Sequence, residues 1–250
     1  FYNQKIAAAF DRIFRLAEKL GLRICLCTDD NNEHITGSSS YGSWEWNPYN
    51  AKNGGPCRTP AEFWTNPEAR RLYKQRLRYI AARWGYSPAF WCWNFWNDCS
   101  HADEKVVSWL EDIYAFVKRV GQHPDRPAGT NFGGGGARFL NRIMDYINGG
   151  GGPAYFRRIR TFGDHWRRKP FVWLECPFDS DRQWFLHSVH NSFWRAFGFG
   201  LAGAMCWSWE LFDQCGWKGF KPLLDFVAPL PLNKAPCSSL GGRIVELSLE

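Results

Sequence analysis

The chain has 250 residues, a formal net charge of +7 and 45% hydrophobic residues. This composition excludes a disordered chain and allows one large core or two small ones. The 31 basic residues are scattered along the sequence, which favours solvated helix surfaces over a nucleic-acid interface. No stretch reaches the roughly 18 continuous apolar residues of a membrane span. We therefore expect neither a nucleic acid nor a membrane as partner.

Aromatic residues make up 18% of the chain and include 15 Trp. That is more than a core of this size needs, so we expect some of these rings to line a surface groove. Flat apolar rings with a polar edge suit sugar faces, nucleobases or apolar partners.

The first half of the chain alternates between helical and strand patterns. Residues 3–21 predict a helix that ends at Gly21, because apolar residues recur three or four positions apart (Ile6, Phe10, Ile13, Leu16 and Leu20). The short apolar run 22–27 predicts a strand, and a long polar loop follows it to about residue 60. Residues 67–85 predict a second amphipathic helix, and the run 89–96 predicts a second strand.

The second half continues the same alternation. The predicted helices are residues 105–121, 137–143, 154–168, 181–200 and 220–230, and the predicted strands are residues 127–132, 144–148, 170–176 and 203–209. Two glycine tetrads, at 133–136 and 149–152, indicate flexible connections.

Apolar strands separated by amphipathic helices predict a parallel sheet that is covered on both faces. Each strand runs into polar residues at its carboxyl end, which is the active-site edge of a (β/α)8 TIM barrel. These residues are Asp29, Asp30, Asn97, Asp98, Asn131, Asn148, Glu175 and Glu210. A doubly wound open sheet is the alternative, but no glycine-rich phosphate turn follows the first strand.

We count six strand–helix units, whereas a TIM barrel has eight. The fold prediction is therefore a truncated or minimised (β/α)8 barrel that carries strands 3 to 8. We expect residues 1–230 to form this domain and residues 231–250 to form a C-terminal extension. The sequence starts at Phe1 without an initiator Met, so we expect that processing or truncation removed a preceding segment, and no localisation is assigned.

Asp98 and Glu175 are the candidate catalytic residues, because each closes a strongly apolar strand. Burial and a neighbouring carboxylate would separate the pKa values of two such groups. Glycoside hydrolysis needs that combination, with one protonated acid and one ionised carboxylate. The alternative is a capping role at the start of the next helix, which suits Asp98 better than Glu175.

Three segments resemble the clan A glycoside hydrolases, among them the cellulase-like family 5. They are residues 54–98, which end in "FWCWNFWND", the strand "KPFVWLEC" at 169–176, and "HNSFWRAFGFGLAGAMCWSWE" at 190–210. The similarity runs from about Gln4 to Phe226. The resemblance implies an eight-stranded barrel and a retaining glycosidase that needs no cofactor and no metal.

Residue by residue, the resemblance implies that Asp98 is the acid/base and Glu175 the nucleophile. Asn97 would contact the sugar 2-hydroxyl, and Trp207 or Trp209 would stack on the sugar. The chain departs from the family pattern in three ways. Asp98 replaces Glu, the first two strands and the Arg that one of them supplies are not recognised, and the His-x-Tyr pattern of the sixth strand is missing.

Four further residues complete the predicted substrate site. Tyr146 and Asn148 are the polar residues that remain on the sixth strand, and Trp44 and Trp46 lie in the long loop, where they form either a subsite wall or a packed loop. The predicted function is cleavage of a β-linked oligo- or polysaccharide. The alternatives are a carbohydrate-binding barrel without catalysis and an inactive fragment or engineered core. Strands without neighbours would leave open sheet edges, which favour self-association.

Overall fold

The computed structural model describes residues 2–37, 42–99, 103–121, 123–131, 143–150, 169–176, 182–198, 201–206 and 221–230. Several predictions concern residues outside these ranges. They are the helix at 154–168, most of the helix at 137–143, the glycines at 133–136 and 151–152, Trp207, Trp209, Glu210 and the extension 231–250.

Four long helices confirm the periodicity of the sequence: α1 (Gln4–Leu20), α2 (Pro67–Trp84), α3 (Glu104–Val120) and α4 (Arg182–Gly198). A further helical segment covers 221–227. The side chains of Asn3, Asn66 and Asp103 cap the first three helices by accepting hydrogen bonds from backbone N–H groups of the first turn. Gly21 ends α1 with a φ of 70°, a left-handed conformation that suits glycine.

Six strands follow the predicted order: β1 (Ile24–Cys27), β2 (Phe90–Asn94), β3 (Ala128–Gly129), β4 (Ile147–Gly150), β5 (Phe171–Cys176) and β6 (Gly203–Cys206). They form two three-stranded sheets of order β1-β2-β3 and β4-β5-β6. Every pairing is parallel, and neighbours in the sheet are neighbours in sequence. This confirms the predicted parallel β/α pattern.

The chain divides into two compact units, Phe1–Asp145 and Tyr146–Glu250. The first unit is built on an aromatic core in which Trp96 and Trp109 are fully buried with Phe63 and Tyr73. Trp109 of α3 packs edge-on against Tyr73 of α2 at 4.7 Å between ring centroids. Many of the aromatic residues are therefore core residues, and they hold α2 and α3 together beside the sheet.

The apolar residues that recur along α1 do not form its buried face. Ile6, Ile13, Leu16 and Leu20 are each more than half exposed, whereas Ala7, Phe14 and Ala17 are buried. The physical reason is Phe14, which stacks on Trp84 of α2 and meets the edge of Phe90 on β2. The small alanines on either side of Phe14 let the helix approach its neighbours closely.

Among the described helices, none is both long enough and apolar enough to cross a membrane.

Candidate functional site

The carboxyl ends of β1, β2 and β3 come together at one edge of the first sheet. Backbone pairing continues past the strands, since Asn97 donates its N–H to Asp29 O at 2.8 Å and accepts from Asn31 N at 3.1 Å. On the other side, Asn131 N donates to Trp96 O at 2.8 Å, and Cys99 N donates to Asn131 O at 2.9 Å. The polar residues that follow these three strands are therefore held in fixed register.

Three side chains form a row across this edge, which we call the amide row: Asp30, Asn97 and Asn131. Asn97 Nδ2 donates to Asp30 Oδ2 at 2.9 Å, and Asn131 Nδ2 donates to Asn97 Oδ1 at 2.9 Å. The row takes one residue from the end of each strand. It places the predicted sugar-binding amide, Asn97, in the middle.

Asp98 follows the row directly and is half-buried. Its φ is 49°, in the left-handed region, where Asp and Asn are the side-chain-bearing residues best tolerated. Burial raises the pKa of Asp98 above its ordinary value, and the negative charge of Asp30 raises it further. These two effects favour a protonated carboxyl, which is the state that a general acid needs.

A buried contact between a histidine and a carboxylate lies at the end of β1, next in sequence to Asp30 of the amide row. His34 Nε2 is 3.1 Å from Asp29 Oδ1, and both side chains are at most 5% exposed. Arg76 of α2 approaches the other oxygen of Asp29 at 3.8 Å. The His34 ring lies 4.5 Å from Trp96 and 4.6 Å from Phe63 between centroids. The end of β1 is thus fixed in an aromatic, low-dielectric surrounding.

Sequence reasoning missed His34 and Arg76. His34 lies in a 3₁₀ turn (Asn31–His34) within the long polar loop, where no periodicity marks it. Arg76 lies on an amphipathic helix, where a basic residue reads as a solvent-facing one. The contact of Asp29 with Arg76 depends on tertiary structure, so no local signal could have found it. His34 is only five residues from Asp29, but the turn that joins them has no sequence pattern that marks the pairing.

The two tryptophans of the long loop have opposite exposures. Trp44 is 3% exposed and packs against His34 at 5.8 Å between ring centroids. Trp46 is 74% exposed. Of this predicted pair, only Trp46 presents its ring to solvent.

In the second unit, Tyr146 precedes β4 and is 4% exposed, and Asn148 lies within β4 and is 2% exposed. Neither the Nδ2 nor the Oδ1 of Asn148 has a hydrogen-bond partner among the described residues. A buried amide left without partners costs on the order of 1–3 kcal/mol.

Glu175 lies in β5, where its backbone pairs with Gly150 of β4. The register shifts between Gly149 and Gly150, and on the other side of β5 it shifts between Trp173 and Cys176. Such irregularities are frequent beside active sites, because they redirect side chains at a strand end. The side chain of Glu175 lies outside the described part of the structure, as do Trp207 and Trp209.

No group of three or more His, Cys, Asp or Glu residues in the described ranges is arranged to hold a metal ion.

No protein-family model matches the chain. Over 131 residues the chain is 24% identical to mannan endo-1,4-beta-mannosidase 1 of Oryza sativa subsp. japonica. The aligned region covers 48% of this chain and 29% of that protein. Mannan endo-1,4-beta-mannosidase 2 of the same plant is 21% identical over 131 residues, with 48% and 28% covered. The chain thus spans less than a third of the length of these curated relatives.

Solved structures give the same picture at the level of the fold. The hyperthermostable endo-1,4-beta-D-mannanase from Thermotoga petrophila RKU-1 matches 79% of this chain and 67% of its own, with a TM-score of 0.58 and 16% identity. The beta-D-glucuronidase of Dictyoglomus thermophilum matches 79% of this chain and 36% of its own, with a TM-score of 0.54 and 11% identity.

These likenesses are consistent with a partial (β/α)8 fold, of which six parallel strands are described. Together with the strand-end motifs, they confirm that this chain resembles the glycoside hydrolases of the clan A, TIM-barrel type.

Proposed function

We propose that the chain is a retaining glycoside hydrolase that cleaves a β-1,4-linked mannan-type polysaccharide. The observation that carries the proposal is Asp98, a half-buried carboxyl with a raised pKa beside an ordered asparagine at the carboxyl edge of a parallel sheet. The substrate class follows from the names of the curated relatives, which are mannan endo-1,4-beta-mannosidases.

In this proposal the six strands are strands 3 to 8 of an eight-stranded barrel. Asp98 would protonate the leaving glycosidic oxygen and then activate water, and Glu175 would attack the anomeric carbon. Asn97 would bind the sugar hydroxyl next to that carbon. The reaction needs no cofactor, because both proton transfer and nucleophilic attack come from carboxyl groups.

Further residues are proposed to contact the substrate. The amide of Asn148, which has no hydrogen-bond partner among the described residues, would accept hydrogen bonds from sugar hydroxyls and donate to them, and Tyr146 lies just before its strand, β4. The exposed ring of Trp46 would form an outer subsite, while Trp207 or Trp209 would stack beneath the sugar at the reaction centre.

The Asp at position 98 sets a geometric requirement. Retaining glycosidases hold their two carboxyls about 5–5.5 Å apart, and a misplacement of about 1 Å can cost on the order of a hundredfold in rate. Asp is one methylene shorter than Glu. The left-handed backbone at Asp98 would have to aim the carboxyl so that the shorter side chain still reaches the glycosidic oxygen.

The test compares two substrates, β-1,4-mannan and an aryl β-mannoside with a good leaving group. Glu175→Gln should reduce turnover of both substrates by about a thousandfold or more, because it removes the nucleophile. Asp98→Asn should reduce mannan turnover by about a hundredfold or more yet spare formation of the glycosyl-enzyme from the aryl substrate, which needs little acid assistance.

The matched controls are Glu111→Gln on the exposed face of α3 and Asp125→Asn in the turn before β3, two exposed carboxylates that are not among the proposed site residues. Both should retain wild-type rates. Full activity of Glu175→Gln would refute the nucleophile assignment. If the wild-type protein bound mannan but turned over neither substrate, the proposed catalytic activity would be refuted. A carbohydrate-binding barrel without catalysis would then be the better assignment.

A further inference from the structure

The side-chain amide of Asn97 is held from both ends. Its Nδ2 donates to Asp30 Oδ2 and its Oδ1 accepts from Asn131 Nδ2, each at 2.9 Å. A primary amide has two N–H donors and one carbonyl acceptor. The bond to Asp30 fixes which end of the amide is nitrogen, and it uses one N–H while the second can serve a sugar hydroxyl.

Asp30 is itself rigidly placed. Its Oδ1 accepts from both the backbone N and the Nδ2 of Asn32 at 2.7 Å, and it caps the 3₁₀ turn at Asn31–His34. Its backbone N donates to Asp29 Oδ1 at 3.0 Å, and a parallel bridge joins Asp30 to Asn97. One carboxylate oxygen of Asp30 therefore accepts hydrogen bonds within its own turn, and the other accepts a hydrogen bond from Asn97.

We propose that Asp30 is a positioning residue for the glycosidase reaction, whose carboxylate orients the Asn97 amide toward the substrate. This inference rests on the proposed function for its catalytic consequence. The geometry on which it depends, however, belongs to the described structure alone.

The negative charge of Asp30 also acts on its neighbour Asp98. The carboxylate of Asp30 disfavours a second negative charge on Asp98, and it adds to the effect of burial on the pKa of Asp98. The adjacent carboxylate, Asp29, faces His34 from the 3₁₀ turn and Arg76 from α2. Glu33 lies on the same turn, and the β3 side of the row presents the neutral Asn131.

The test compares Asp30→Asn with Asn32→Ala. Asp30→Asn removes the charge and disturbs one of the two sets of bonds, because an amide cannot accept through both of its ends. Asn32→Ala removes one side-chain donor to Asp30 and leaves the bond to Asn97 in place. A third variant, Asp30→Ser, keeps a hydroxyl cap for the turn and loses the reach to Asn97.

On β-1,4-mannan, Asp30→Asn should lower kcat/KM by about ten- to a hundredfold, as expected for the loss of a hydrogen bond to a charged group. The alkaline limb of its pH profile should move to lower pH, because Asp98 then loses its proton more readily. Asn32→Ala should stay within about twofold of wild type with an unshifted limb. A merely structural role would lower the melting temperature of Asp30→Asn and leave the limb in place.

Nuclear magnetic resonance gives a readout that does not need activity. The carboxyl carbon of Asp98 should titrate at lower pH in Asp30→Asn than in wild type, and the side-chain amide protons of Asn97 should exchange faster in Asp30→Asn and in Asp30→Ser. A wild-type protein without turnover would refute the proposed function, yet these resonances would still decide the inference. An unchanged Asp98 titration together with unchanged Asn97 exchange would overturn it.

Discussion

Asp98 combines a left-handed backbone with a partly buried carboxyl. Most residues with a side chain pay about 1–2 kcal/mol for this conformation, whereas Asp and Asn can form local hydrogen bonds that reduce the cost. The backbone thus gives a physical reason for Asp at a position where the resembled family carries Glu. The same conformation separates Asp98 from the regular extension of β2, so the carboxyl direction is set by the turn rather than by the strand.

Replacing Asp98 by Glu should lower the free energy of unfolding by about 1 kcal/mol, because Glu loses the local stabilisation of the left-handed conformation. Turnover per folded molecule should not fall, since the longer side chain restores the reach implied by the family resemblance. Urea denaturation and steady-state kinetics on one preparation measure both effects. Asp98→Asn is the matched backbone control and should unfold like the wild type; a Glu variant as stable as this control would contradict the strain argument.

At the level of single residues, the sequence could place Asn97 and Asp98 at a strand end, because the apolar run before them ends there. It could not predict the amide row. Asn97 bonds to a residue 67 positions away and to another 34 positions away, so both contacts depend on strand order and register. The same applies to Arg76, whose partner Asp29 lies on a different element.

At the level of elements, the contact between α1 and α2 shows why helix bounds are easier to predict than helix faces. Asn3 and Gly21 mark the ends of α1 locally. The buried face follows from two tertiary contacts with α2. Phe14 stacks on Trp84, and Asp11 accepts hydrogen bonds from Arg83 Nε at 2.9 Å, Arg83 Nη2 at 2.7 Å and Trp84 Nε1 at 2.9 Å, a set of bonds that we call the Asp11 clamp. Together these contacts turn the side of α1 that carries Phe14 and Asp11 toward α2 and leave the larger aliphatic residues outside.

Asp11→Asn should weaken the fold in a pH-dependent way. The hydrogen bonds from Arg83 hold the pKa of Asp11 at about 2, below its ordinary value of 3.8. Because the pKa of Asp11 is lowered in the folded protein, its ionised carboxylate stabilises the fold fully above pH 3.8, and this stabilisation is lost as the pH falls toward about 2. The wild type should therefore have the higher thermal midpoint at neutral pH, and the difference should shrink across this acidic window.

The control for this clamp is Asp125→Asn, which changes an exposed carboxylate of the same unit. Its thermal midpoint should follow the wild type at every pH. If Asp11→Asn and Asp125→Asn behave alike, then the clamp does not contribute to the packing of α1 on α2.

At the scale of the whole molecule, the order of helices and parallel strands could be predicted because each element carries its own periodicity. The face of α1 formed by Ile6, Ile13, Leu16 and Leu20, which we call the outer face of α1, could not be predicted to lie outside. The next element in the chain is β1, which pairs with β2 and has no other strand partner among the described residues. An exposed apolar helix face, like an unpaired sheet edge, favours association.

We propose that a second copy of the chain covers this surface. The wild-type protein should then show a mean solution mass that rises with concentration. The double variant Ile13→Glu, Leu16→Glu should weaken self-association by at least about tenfold, because each buried aliphatic side chain contributes about 1.5–3 kcal/mol. Analytical ultracentrifugation across a concentration series measures this. Ile35→Glu, which alters an exposed aliphatic residue away from α1, is the control; a monomeric wild type at all concentrations would contradict the proposal.

The central claim is that Glu175 attacks a sugar while Asp98 assists, and covalent trapping tests it most directly. A β-mannobiosyl fluoride with fluorine at C2 forms the glycosyl-enzyme quickly and hydrolyses slowly, so a retaining enzyme accumulates the adduct. Mass spectrometry of the intact and digested protein should show one fluoroglycosyl group, attached to the peptide that contains Glu175. Asp98→Asn should still form this adduct, because fluoride leaves without a general acid. The absence of an adduct from a protein that hydrolyses mannan, or its attachment to a residue other than Glu175, would contradict the account.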